Sequence, residues 1–172
     1  RPLSASWTVT GSGAFALGLN QKCRAHITGM TPGRIVDYGL KDSMNMGACM
    51  APAAADTVAR HMEDFHVTPE EYDRIITGDL GSVGQTVLID LLREKGIDIA
   101  DRHMDCGIEI FDAEAQDTHA GGSGCGCSAV TLAAYVLPKL ESGEWKKVLF
   151  LPTGALLSKT SFNEGKSVPG IA

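Results

Sequence analysis

Positive charge is what this sequence has least of. Its 15 Lys and Arg stand against 21 Asp and Glu, for a formal net charge of −6. The basic residues form no cluster, so the chain lacks the footprint that releases counterions from phosphate, and nucleic acid is not an expected partner. A basic membrane patch is equally unsupported. No apolar run reaches the ~20 residues of a membrane-spanning helix, so the chain itself is not expected to cross a bilayer. Its 5 cysteines include no CxxC pair, which argues against structural zinc and for free thiols, buried or at a site, in a reducing compartment.

What remains is an ordinary globular composition, 44% hydrophobic and 21% charged over 172 residues. That suits one domain with its own core. There is no internal repeat, no low-complexity stretch and no linker. Glycine is the anomaly: 20 residues, against a usual share of ~7%, clustered near 11–13, 78–84 and 121–126. Such clusters serve where backbone approaches backbone or a ligand.

Residues 7–19 mix β-branched and small apolar residues around Gly11-Ser-Gly13 and predict a buried strand, with 23–27 and 33–36 as continuations. From Ala51 the period becomes helical through Ala55, Val58, Met62 and Phe65, with Pro52 expected in the first turn. Met44, Met46 and Met50 read as core or pocket filler. Thr68-Pro-Glu-Glu71 has capping-box spacing and leads into a short buried strand at 74–77. After Gly78-Asp-Leu-Gly81, Ser82 and Gln85 suggest a second capping box for a helix ending near Gly96. Residues 106–111 alternate enough to predict a strand. A glycine-rich loop, 119–128, opens a helical stripe that Pro138 should loosen and Gly143 should end. Residues 148–151 are a fully apolar strand. Helices alternating with short apolar strands predict a layered α/β fold.

The loop at 119–128 is the strongest chemical signal. A glycine-rich turn entering a helix can offer unpaired backbone N–H groups to a carboxylate, phosphate or oxyanion; alternatively its glycines only permit tight packing. No Gly-Lys-Ser/Thr follows, so it is not a phosphate loop. His119, Cys125 and Cys127 lack the further ligands a metal site needs, and no metal is expected. A helix-start cysteine could be activated, but no partner base is fixed by the sequence. Asp79, between a strand and a helix, stands where open α/β sheets collect ligands, or else caps its turn. Asp42 precedes the first long helix and reads as a ligand contact or a plain loop aspartate. His26, His61, His66 and His103 read as surface or packing residues.

Several long motifs together resemble one family. Thr8-Val-Thr-Gly-Ser-Gly-Ala14, Gly47-Ala-Cys-Met-Ala-Pro-Ala-Ala-Ala-Asp56, Asp73-Arg-Ile-Ile-Thr-Gly-Asp79, Gln116-Asp-Thr-His-Ala-Gly-Gly-Ser-Gly-Cys-Gly-Cys-Ser-Ala129 and Pro152-Thr-Gly-Ala-Leu-Leu-Ser158 resemble the stage V sporulation protein AD family of spore-forming Firmicutes, over essentially the whole chain. The resemblance implies a thiolase-like fold built of two similar halves, each with a five-stranded mixed sheet covered by helices. Residues 1–172 then correspond to the C-terminal half, with the N-terminal half and the final strand absent.

Condensing enzymes of that fold place a histidine after a strand and a His or Asn in a glycine-rich turn. Here Asp79 and Ser123 stand at the matching positions, although His119 lies nearby. A carboxylate would repel the developing enolate or oxyanion that such chemistry must stabilise. The resemblance therefore implies a non-catalytic protein that binds dipicolinic acid, or its calcium chelate, for uptake into the developing spore. The alternative is an acyl-thioester condensing enzyme whose nucleophilic cysteine lies in the missing half. Asp42, Asp79, His119, Gly121, Gly122 and Ser123 are the expected ligand contacts. No cofactor is expected beyond calcium carried with the ligand. Expected partners are dipicolinic acid, the other membrane proteins of the stage V operon and, at full length, a second copy in a homodimer. The expected location is peripheral, on the cytoplasmic face of the spore or forespore membrane.

Overall fold

A computed structural model describes residues 2–19, 22, 23 and 25–172. In chain order the elements are β1 (Trp7–Thr8), α1 (Met46–Phe65), a 3-10 turn (Pro69–Glu71), β2 (Arg74–Thr77), α2 (Gly81–Arg93), β3 (His103–Asp105), α3 (Cys106–Glu109), α4 (Ala113–Gln116), β4 (Gly122–Ser123), α5 (Cys127–Thr131), a π-helical turn (Leu132–Val136), α6 (Leu137–Ser142), β5 (Val148–Leu151), β6 (Gly154–Ala155), α7 (Lys159–Asn163) and β7 (Gly170–Ile171).

The architecture is α/β, as the alternating pattern predicts. In place of a five-stranded layer, however, the described residues form three small sheets. β3, β2 and β5 make a parallel sheet in that order, β1 pairs in parallel with β4, and β6 pairs antiparallel with β7. In β2 two adjacent isoleucines, both fully buried, face opposite ways: Ile75 joins a core with Met50, Val58, Leu88 and Leu92, and Ile76 joins one with Met104, Cys127, Val136 and Trp145. The central sheet is thus covered on both faces, which is why β2 carries two adjacent buried isoleucines and β5 reads as a continuous apolar run. Helices α1 and α2 cross at Gly47 and Gly84, where a Cβ on either residue would collide with the other helix's backbone.

Several local expectations are corrected. The long strand over 7–19 shrinks to β1, because only its first residues find a partner strand. The expected strand over 23–27 includes residue 24, which lies outside the described residues, and of 33–36 only Val36 makes an isolated bridge, to Gly170. Helix α1 starts five residues earlier than its apolar stripe, since the Asn45 side chain accepts the Ala48 N–H; Pro52 therefore sits inside the helix. Met50 is buried, but Met44 and Met46 are exposed. Residues 106–109 are helical, because Asp105 accepts the N–H groups of Gly107 and Ile108 and turns the chain directly out of β3.

The capping box at Thr68 and Glu71 is present, whereas Ser82 and Gln85 form none. The Gln85 amide turns instead to His103 Nδ1, at 2.9 Å. Pro138 follows the π-helical turn, and Gly143 ends α6 in the left-handed conformation.

Candidate functional site

The three parallel strands end on a common edge, and the residues leaving them meet there. Asp79 follows β2, Asp105 closes β3, and Thr153 follows β5. Asp79 Oδ2 accepts the Gly124 N–H at 2.9 Å, and its Oδ1 accepts the Thr153 hydroxyl at 3.2 Å. The expected cradle of open amides is therefore partly filled from within, by the carboxylate expected to line it. Burial pushes the Asp79 carboxyl above the ordinary range, and the Gly124 and Thr153 hydrogen bonds pull it back.

Asp105, missed in the sequence, is the larger hub. Its carboxylate is 1% exposed and accepts the Thr77 hydroxyl at 2.7 Å and the N–H groups of Leu80 and Gly81 at 2.9 and 3.1 Å. The Ser82 N–H goes to the Ala120 carbonyl at 2.9 Å. The opening amides of α2 are thus satisfied by distant parts of the chain. Burial pushes the Asp105 carboxyl up, and bonds from Thr77, Gly81 and Leu80 oppose that shift. The only available signal was an aspartate two residues before a glycine, Asp105-Cys-Gly107, which is too common to single out.

Thr77 also links Asp105 to His103. With the Thr77 proton directed at Asp105, His103 Nε2 donates to Thr77 Oγ1 at 2.9 Å, while Nδ1 accepts from Gln85. Burial lowers the His103 pKa to about 4, so the ring is neutral and held at both nitrogens.

The remaining candidates divide. Gly121 has φ +118, and its carbonyl accepts the Trp7 N–H at 2.9 Å. At Gly122 an added Cβ would lie 2.8 Å from Ile110, Phe111 and Val9 side-chain atoms, so its hydrogen faces packed protein. Ser123 Oγ lies 2.6 Å from Ser6 Oγ. His119 has φ 56 and lies 3.5 Å from the Asp117 carboxylate. It borders a cleft of about 310 Å³ with Leu3, Ser82, Val83 and Thr86. Asp42 accepts the Met44 N–H, and residues 4–6 strap that turn to the loop: Ser4 Oγ donates to the Met44 carbonyl and the Ala5 carbonyl accepts from Ala120. Asp79 and the glycine-rich loop thus come together, with His119 at the loop's outer margin and Asp42 on the strap's other side.

All five cysteines are free. Burial raises the thiols of Cys106 and Cys127 to about 12, opposite to what a nucleophile needs. Among the described residues no group of three or more His, Cys, Asp or Glu is placed to hold a metal ion, and no helix is long and apolar enough to cross a membrane.

Two comparisons bear on this arrangement. The family model described as Stage V sporulation protein AD matches residues 1–172. Stage V sporulation protein AD of Bacillus subtilis (strain 168) is 41% identical over 172 residues, which is 100% of this chain and 50% of that protein. The chain thus spans about half the length of this curated relative. With its whole length matched and its long glycine-rich motifs at the sheet edge, the chain belongs to the stage V sporulation protein AD family, whose members are sporulation proteins.

Proposed function

We propose that this sporulation protein is a non-catalytic binding component that holds dipicolinic acid, or its calcium chelate, during loading of the developing spore. In this reading the chain is a thiolase-like half-domain whose acyl-transfer machinery has been lost. The observation that supports it most is the state of Asp79. A condensing site needs a proton donor or cation facing the reacting oxygen. Here a carboxylate closes the strand, and its oxygens accept the Gly124 N–H and the Thr153 hydroxyl. The doubly hydrogen-bonded His103 supports the same reading.

His119 and Ser123 are the proposed polar contacts, with Asp42, Asp79, Gly121 and Gly122 shaping the loop and strap around them. Calcium would arrive as part of the ligand, held by the ligand's own carboxylates. The proposed partners are the membrane proteins of the same operon and a second copy of the full-length protein, at a peripheral membrane location. Exposed apolar side chains before α1, including Leu17, Ile27, Met30 and Tyr38, suit such contacts.

Calorimetric titration with dipicolinate, with and without calcium, tests the reading alongside incubation with acetyl- and malonyl-thioesters. Saturable dipicolinate binding without covalent acylation is expected. A burst of cysteine acylation in the full-length protein would replace the reading with a condensing enzyme.

A further inference from the structure

We infer that residues 29–32 form a clasp latched onto α1 by the neutral ring of His61, and that protonation of this histidine releases the clasp. His61 lies near the end of α1 and is 6% exposed. Its Nδ1 is 2.8 Å from the Thr31 hydroxyl, and its Nε2 is 2.7 Å from the Tyr72 hydroxyl. One ring thus ties a largely exposed stretch of chain to α1 and to the turn that leads into β2.

The clasp has few other holds. Among the described residues, the main-chain N–H groups of Gly29, Met30 and Thr31 bond no backbone carbonyl. Gly29 lies against the Phe65 ring, where an added Cβ would come within 2.7 Å, and the Pro32 carbonyl accepts a long 3.5 Å bond from Arg60. Just beyond the clasp, the Arg34 guanidinium grips Asp56 through both Nε and Nη2. That pair contains no histidine, so it stays docked as the pH falls through the histidine range.

Protonation changes what the ring can bond. In neutral imidazole one nitrogen donates and the other accepts, whereas in imidazolium both donate. One of the two hydroxyls therefore donates to the neutral ring and must turn its hydrogen away from the charged one. Tyr72 is 5% exposed and cannot turn to solvent, while Thr31 is only half-buried, so the Thr31 end gives way. The ring is faced by Asp64 on α1, by Tyr72 at the end of the 3-10 turn and by Lys147 just before β5; the clasp brings no charge. Lys147 Nζ is 4.6 Å from the centre of the Tyr72 ring and 3.2 Å from the Glu71 carboxylate. Burial holds the His61 pKa below its ordinary 6.5, Lys147 adds to that, and Asp64 opposes it. The docked ring takes a proton less readily than the released one, so acid favours release and exposes the Phe65 ring that Gly29 covers.

The test is nuclear magnetic resonance on the intact protein, with 15N relaxation at Gly29, Met30 and Thr31 reporting the clasp and the His61 ring resonances reporting protonation. The clasp is expected to be ordered at about pH 7.5 and to loosen as the ring titrates. The open population should grow by up to about tenfold for each pH unit between 6.5 and the docked pKa. Near-ultraviolet circular dichroism should stay unchanged meanwhile; its collapse together with the clasp would mean global unfolding and overturn a local latch. Thr31→Val keeps the side-chain shape without the hydroxyl, and should leave the clasp loose at both ends of the range. His61→Gln carries no titrating ring and should abolish the pH response. A clasp that stays ordered through complete titration of His61, or an unaltered pH response in His61→Gln, would overturn the inference.

Discussion

Asp105 and Gly81, 24 residues apart, are joined by a 3.1 Å hydrogen bond from the Gly81 N–H to the Asp105 carboxylate. The cap of α2 is thus supplied by the neighbouring strand. The same carboxylate starts α3 by accepting the Gly107 N–H at 3.0 Å. One side chain sets the relation of β3, α2 and α3.

Asp105→Asn should therefore be severe. An amide has one acceptor oxygen, and its NH2 would face donors that now point at a carboxylate. The expected loss is on the order of 3 kcal/mol in urea unfolding. A loss below about 1 kcal/mol would remove Asp105 from its role as hub.

His103 predicts a pH dependence. Its folded pKa is about 4, against an ordinary 6.5, so the unfolded chain takes up a proton well before the folded one does. Its contribution is full above pH 6.5 and is lost as pH falls towards 4. Over that window it amounts to roughly 3 kcal/mol. Asp79 works in the opposite sense, because its raised carboxyl costs stability as pH rises. Thermal unfolding of wild type against His103→Gln isolates the histidine: the difference between them should shrink as pH drops from 6.5 to 4. A pH-independent difference would contradict the neutral, doubly bonded ring.

Gly122→Val should fail through packing. The new side chain would be driven into Ile110, Phe111 and Val9, at a typical overpacking cost of 1–3 kcal/mol or more. Loss of cooperative unfolding, or a large fall in melting temperature, is expected even without ligand. Wild-type stability combined with lost dipicolinate binding would instead make Gly122 a ligand contact.

At Asp79 the two obvious variants should differ. Asn can still accept the Gly124 N–H, so Asp79→Asn should change stability by less than about 1 kcal/mol. Asp79→Ala leaves that N–H and the Thr153 hydroxyl without their acceptor, and should cost about 1–3 kcal/mol. Amide exchange at Gly124 should accelerate in the alanine variant only. Equal exchange in both would show that the carboxylate does not hold the loop.

Elements whose signal is local were legible along the chain. β2 and β5 follow from runs of apolar residues, the cap at Thr68 from a three-residue spacing, and the end of α6 from Gly143, because each depends on neighbours in the chain. Family membership was equally legible, since the long motifs around Gly47, Asp79 and Gly122 are nearly contiguous. Only the folded chain decided that residues 106–109 are helical, that Gln85 serves His103 in place of a capping box with Ser82, and that Asp79 closes on Gly124. Each outcome rests on a donor and acceptor 18 to 45 residues apart or on a side chain at a strand's end. A polar group leaving water takes the partner that folding brings nearest, and periodicity along a chain carries no record of which partner that is.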